Sequence, residues 1–306
     1  QSLKFLKYEE FLKFQLTMQL IKQKRSHELG IRKEFEIEKL QSFILNLPFQ
    51  LTKDQQVAVK EIVEDLRNPQ MMYRFLQGDV GSGKTVVSAI ALYANFLAGY
   101  QGALMAPTEI LARQHYQTLI SFFKTIDIKI VLLTGSLSLK EKEMIYQYIQ
   151  EGNVDIIVGT HALFQKKVQY HQLGFVITDE QHRFGVEQRK AIKNKGSQVD
   201  FLIMSATPIP RTLAISMYGD MEVSTIKTMP NGRLPVQTKF IQSSSMKPIL
   251  THLKEYLASG GQCYVICPLV EDSEVLEARS ASQIAEAMQN YFRDSYQVGL
   301  LHGQMK

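Results

Sequence analysis

Cysteine is almost absent from this chain, with two residues, Cys263 and Cys267, in 306. Both fall in the stretch CYVIC, where a strand would turn them to one face at a separation too long for a disulfide. The expectation is two buried, small apolar side chains in a reducing compartment, which points to the cytoplasm. No cysteine or histidine spacing of a metal site occurs. No run reaches 18 apolar residues, so no membrane-spanning helix is expected and no membrane partner. The opening stretch QSLKFLKYEEFLKFQ carries acidic residues and no cleavage pattern, which excludes a secretory signal peptide. It also lacks an initiator methionine and starts inside an amphipathic pattern, so the expectation is a chain that begins partway through a larger protein. Internal repeats and low-complexity tracts are missing as well.

What is present suits a globular protein. A length of 306 residues suggests one large or two ordinary domains, and a hydrophobic content of 45% allows a real core. A net charge of +5 permits a polyanionic partner without identifying one. Residues 1–47 are helical in pattern, with Leu3, Leu6, Phe11, Phe14, Met18 and Ile21 near three- and four-residue spacing. This segment carries nine basic and six acidic residues and is assigned as a helical linker. Thr52 then caps a helix over KDQQVAVKEIVEDL.

Residues 48–230 alternate short apolar runs with helical stretches. The expected strands are YRFLQ, GALMA, IKIVLL, VDIIVG, LGFVIT, DFLIM and EVSTI. Their Val/Ile/Leu-rich, non-alternating character predicts an α/β fold with a doubly wound parallel sheet covered on both faces. MPNGRLPV reads as a linker. From residue 231 to 306 a second α/β series starts, with strands expected in TKFIQ, QCYVICPLV and YQVGLLHG around two helices, too few to complete a domain.

The chemistry begins at FLQGDVGSGKTVVSAI, residues 75–90. Gly78, Gly83, Lys84 and Thr85 fit G-x-x-x-x-G-K-T, and Ser82 sits within it. Gly81 and Gly83 lack a Cβ and so can bring backbone N–H groups close to a polyphosphate. The helix that follows points the positive end of its dipole at the same place. Lys84 would reach the β- and γ-phosphates of ATP, and Thr85 would offer its hydroxyl to magnesium. A glycine-rich turn that binds nothing is the alternative, but the strand before and the helix after favour the phosphate loop.

Such a loop needs an acidic partner, and FVITDEQH ends an apolar strand in one. Asp179 is the candidate for the magnesium shell and Glu180 for the base that orients the attacking water. Ser205 and Thr207, in MSATPIPRT after another strand, could relay hydrogen bonds away from the nucleotide. Thr108 in APTEILARQH and Thr160 in GTHALF begin at strand ends and suit phosphate contacts, or act only as helix caps.

Taken together, GDVGSGKT, APTEILARQH, GTHALF, DEQHRFGVEQR and SATPIPRT resemble motifs I, Ia, Ib, II and III of superfamily 2 helicases. The longer strings FLQGDVGSGKT, LMAPTEILA, ATPIPRTLA, PLVEDSE and LLHGQMK are similar to the RecG-type ATP-dependent DNA helicases. The transcription-repair coupling translocases share HRFGV and ATPIPRT, but usually have Glu where this chain has Gln181.

The resemblance implies two RecA-like motor domains that use ATP and magnesium to remodel forks and Holliday junctions. It also implies a monomer, with a single-stranded DNA-binding protein as a second partner. Gln55 would read adenine and Phe49 stack on it. His182, Ser205 and Thr207 would couple hydrolysis to movement. Thr108, Thr160, His161, Arg183 and Phe184 would face DNA. In that family the arginine fingers lie beyond HGQMK, and a wedge domain precedes the motor. The expectation is therefore a fragment, which on its own would act as a nucleotide-binding module with little turnover.

Overall fold

The computed structural model describes residues 2–25, 29–179, 195–196, 198–206, 221–230, 236–241, 247–268, 280–303 and 305. They fall into two compact units, Gln1–Leu234 and Pro235–Lys306.

All seven strands expected before residue 230 form, and they make a single sheet. They are β1 (Tyr73–Gly78), β2 (Gln101–Met105), β3 (Ile130–Leu133), β4 (Ile156–Gly159), β5 (Leu173–Asp179), β6 (Asp200–Ser205) and β7 (Glu222–Ile226). Their order is β3-β4-β2-β5-β6-β1-β7, and every pairing is parallel. Parallel strands need crossovers, and the helices that supply them cover the sheet. Alternate residues therefore go to opposite cores. Leu104, Phe175, Ile177, Leu202 and Met204 join the larger cluster, while Ala103, Met105, Val176 and Phe201 join the smaller one. This is why these strands read as unbroken apolar runs.

Among the described residues, the helices of this unit are α1 (Ser2–Arg25), α2 (Ile37–Leu45), α3 (Lys53–Leu66), α4 (Lys84–Leu97), α5 (Glu109–Phe123) and α6 (Leu139–Gln150). The helix capped by Thr52 matches its expected span, and a full capping box holds its first turn. Gln55 N–H donates to Thr52 Oγ1 at 3.3 Å, and Thr52 N–H donates to Gln55 Oε1 at 2.8 Å. At the helix's start Asp54 accepts from Lys227 N–H, Thr228 N–H and the Thr228 hydroxyl at 2.7–2.9 Å. That clasp holds the chain just after β7, and the Thr228 N–H leads in lowering the Asp54 carboxyl below its ordinary value.

The expectation of one helical pattern over 3–47 is corrected. Residues 29–36 are not helical, and they run against the amino-terminal end of the sheet. Gly30 N–H donates to Pro69 O and Lys33 N–H to Leu66 O. A Cβ on Gly30 would lie 2.8 Å from the Met71 backbone, so this close passage requires glycine. Lys33 is fully buried and ion-paired to Asp200 at the start of β6. Its Nζ also donates to Gly174 O at 3.1 Å, and Asp200 Oδ1 accepts from Met72 N–H at 2.7 Å. Leu40, Phe43 and Leu47, read in the sequence as linker, belong to the larger core.

In the second unit α7 (Lys247–Ala258) and α8 (Ala281–Phe292) form as expected. The strands expected around them do not form among the described residues 238–241, 262–268 and 296–303. A strand exists only when a neighbour takes its N–H and C=O groups, and β-forming composition cannot supply that neighbour. The cysteine reading fails with them. Cys263 is exposed and Cys267 half-buried rather than both being buried, because no sheet forms there to cover them.

Candidate active site

The parallel sheet gathers the chemistry at its carboxyl end. Gly78 closes β1, Asp179 closes β5 and Ser205 closes β6, with β6 lying between the other two. The register is tight: Leu76 pairs Met204 and Met204 pairs Asp179, while Gln77 pairs Ser205. Asp179 therefore sits two strand spacings, roughly 10 Å, from β1 at nearly the same height. This is the crevice in which open α/β sheets bind ligands.

The loop from Gly78 to Gly83 is built for an anion. Gly81 and Gly83 hold φ of 78° and 87°, in the left-handed region. Gly83 is the N-cap of α4, and no side chain caps the helix. From Val86 to Asn95 every residue of α4 is buried, so the loop stands on a rigid mount. Ser82 Oγ is buried with no hydrogen-bond partner. Lys84 Nζ donates to Gly78 O at 2.7 Å and Asp79 O at 3.2 Å, which folds the ammonium into the loop. Left-handed glycines, an uncapped helix start, an orphaned hydroxyl and a lysine within one loop are the donor set that nucleotide polyphosphate needs. Thr85 in the first turn of α4 and Asp179 at the end of β5 carry the oxygen donors that magnesium takes.

Gln55 is only 2% exposed, and its amide is already engaged. Nε2 donates to Ser82 O at 2.7 Å, while Oε1 serves the capping box. The residue expected at adenine thus props the phosphate loop from beneath. A Cβ on Gly83 would lie 2.3 Å from Gln55 Nε2. Gly83→Ala adds left-handed strain of about 1–2 kcal/mol to that clash, so ATP affinity should fall about tenfold or more. Gly99→Ala is the control, because its φ is 84° but a Cβ there meets nothing within 4 Å. It should cost some stability and leave nucleotide affinity unchanged. Titration with a fluorescent ATP analogue checks both. Phe49, half-exposed, lies edge-on to Phe122 with ring centroids 6.1 Å apart.

Of the residues expected to face DNA, Thr108, Thr160 and His161 lie at carboxyl ends of strands. Thr108 follows β2 as the N-cap of α5, accepting from Leu111 N–H at 3.3 Å. Thr160 follows β4, and the exposed His161 opens a short 3-10 turn. Strands β3, β4 and β2 are neighbours, so these positions share one stretch of the sheet's edge. Glu109 braces it by accepting from Ser136 N–H at 2.9 Å and the Ser136 hydroxyl at 2.6 Å. Those bonds, the hydroxyl's first, hold the Glu109 carboxyl below its ordinary value. Lys195 steadies the end of the 3-10 turn by donating to Gln165 O and Val168 O. Glu180, His182, Arg183, Phe184 and Thr207 lie outside the described residues.

Sequence reasoning gave no role to His115. Its Nε2 stands 2.7 Å from Asp179 Oδ2. A detectable signal was its place in the buried stripe of α5 formed with Ala112, Leu119 and Phe123, where a polar residue needs a partner.

The DEAD/DEAH box helicase family matches residues 52–215. The ATP-dependent DNA helicase RecG of Bacillus subtilis (strain 168) is 50% identical over 299 residues, 97% of this chain and 44% of that protein. The RecG of Streptococcus pneumoniae serotype 4 (strain ATCC BAA-334 / TIGR4) is 46% identical over 307 residues, 100% of this chain and 46% of that protein. A solved RecG bound to a three-way DNA junction superposes with a TM-score of 0.81 at 41% identity, covering 92% of this chain and 37% of that one. The chain thus spans about half the length of the curated relatives it matches.

Proposed function

The chain belongs to the DEAD/DEAH box helicase family, and from that premise we propose that it forms the ATP-binding part of a motor that remodels branched DNA. The observation that carries the reading is the P-loop of β1 and α4 set in register with Asp179 on one sheet edge. Similarity to RecG helicases over nearly the whole chain supports forks and junctions as the substrate class.

In this reading the backbone from Gly78 to Gly83 and the start of α4 hold the phosphates. Lys84 leaves the carbonyls of Gly78 and Asp79 for the β- and γ-phosphates. Thr85 and Asp179 would hold magnesium, which when bound neutralises charge developing on the phosphates. Glu180 orients the attacking water. Gln55 keeps the loop in shape through its bond to Ser82 O and would turn its second amide hydrogen to adenine, with Phe49 against the base. Thr108, Thr160 and His161 meet the DNA backbone along the β2–β4 edge, and Arg183 and Phe184 are further DNA-contact residues. Ser205, Thr207 and His182 lie between the two sites in function. The motor works as a monomer in the cytoplasm, with a single-stranded DNA-binding protein as a further partner.

A strand-separation assay by the whole protein that carries this chain, on a labelled fork with and without ATP and magnesium, tests it. ATP-dependent separation of the fork is expected. Absence of separation, together with specific capture of RNA polymerase, would assign the motor to a double-stranded translocase instead.

A further inference from the structure

We infer that His115 is a positioning residue for Asp179, setting the orientation in which that carboxylate meets magnesium; this rests on the reading of Asp179 as a magnesium ligand. His115 lies on α5, seven residues after the cap Thr108, with Ala112 and Leu119 on the same buried face. Its side chain is 10% exposed and that of Asp179 13%. A histidine satisfied within a core can use any nearby carbonyl. Here its Nε2 faces the single carboxylate that ends β5, at 2.7 Å.

The chemistry of the contact is directional. A carboxylate oxygen only accepts, so Nε2 carries the proton and donates it to Oδ2. That bond removes the freedom of Asp179 to rotate about χ2 and leaves Oδ1 for another partner. A carboxylate ligand held in this way needs no reorganisation when the ion arrives, and outer partners of metal ligands typically contribute 10–100-fold in metal affinity or activity. The strand beneath is fixed as well, since Thr178 pairs Met105 of β2 and Ile203 of β6. The imidazole is therefore the element that sets the carboxylate's angle. It hangs from the same helix whose first turn carries Thr108 and Glu109, so one rigid rod joins the proposed DNA edge to the proposed metal ligand.

The test is a magnesium titration of nucleotide binding by the 306-residue chain, read by a fluorescent non-hydrolysable ATP analogue, with manganese binding followed in parallel by electron paramagnetic resonance. His115→Leu keeps the apolar packing and removes the donor, and it should raise the half-saturating metal concentration about 10–100-fold. His115→Gln places an amide N–H at similar reach and should recover most of that loss. A His115→Leu protein that melts lower but binds both metals as the wild type does would overturn the proposal, since histidine would then serve only packing. Failure of glutamine to rescue would also overturn it. Asp179→Asn separates the two readings. If it shifts the metal titration while His115→Leu does not, positioning by His115 is wrong and Asp179 stands. If neither moves it, the reading of Asp179 falls and this proposal with it.

Discussion

Lys84→Ala should lower ATP turnover by about 10²–10³-fold or more, the scale for removing one preorganised charge from a transition state. Nζ lies within the loop on the carbonyls of Gly78 and Asp79, so it reaches the phosphate cradle without a large swing. Alanine leaves the glycine geometry and the buried mount of α4 intact, and the protein should fold normally. Arginine would not substitute, because its planar fork demands bidentate geometry and more room than a loop closed over Ser82 provides. Steady-state turnover with saturating magnesium checks the first part, and Lys84→Arg turnover close to that of Lys84→Ala checks the second. Turnover within a few-fold of wild type in Lys84→Ala would remove the P-loop from the mechanism.

The second large effect lies far from the nucleotide. Lys33 and Asp200 form an ion pair that is almost completely buried. Removing one member of such a pair typically costs about 3–5 kcal/mol, because the other charge is left uncompensated in a dry interior. In a unit of this size each kcal/mol shifts the melting temperature by about 2–4 °C. The two single variants should nevertheless differ. Burial pushes the Asp200 carboxyl above its ordinary value against the pull of Lys33. With the folded pKa raised, that carboxyl favours folding most below its ordinary pKa of 3.8 and loses the contribution as pH rises through the raised value. Lys33→Met therefore leaves a carboxyl that neutralises easily, and its cost should shrink between pH 8 and pH 5. Asp200→Asn removes that carboxyl and gains no such relief on acidification. The double variant keeps an acceptor for Met72 N–H, so it should recover most of either loss. Thermal melts of all four proteins at the two pH values test this. Additive costs in the double variant would show that the two residues are not coupled.

Why this pair escaped the sequence shows where such reading runs out. Lys33 occupies a charged, helix-patterned stretch, and a lysine there reads as solvated. Its partner lies 167 residues away, and only the tertiary fold brings them together. The break between α1 and α2 was hidden for the same reason. The seven strands were legible because parallel strands buried on both faces leave runs of valine, isoleucine and leucine that little else explains. The P-loop was legible because left-handed backbone demands glycine at fixed places, and the cap of α3 because Thr52 and Gln55 satisfy each other locally.

Strand composition misled after residue 235. Tyr264, Ile266 and Leu301 have the right character and stand exposed in the described segments, because pairing is not a local property. At the site, Asp179 could be named from the end of an apolar strand, but His115 could not. Its meaning depends on α5 packing over β3 and β4, a placement that brings the ring to that carboxylate. The role of Gln55 as a prop for Ser82 O was equally invisible, since local capping chemistry and loop support converge on one amide.

The account's central claim is a nucleotide site that answers to branched DNA. ATP hydrolysis by the whole protein that carries this chain, with and without a forked duplex, and by its Glu180→Gln variant, tests this most directly. The account predicts turnover that rises with the fork and is lost in Glu180→Gln. Nucleotide bound without turnover, or turnover that is the same with and without the fork and in the variant, would contradict it and leave the chain a nucleotide-binding role only.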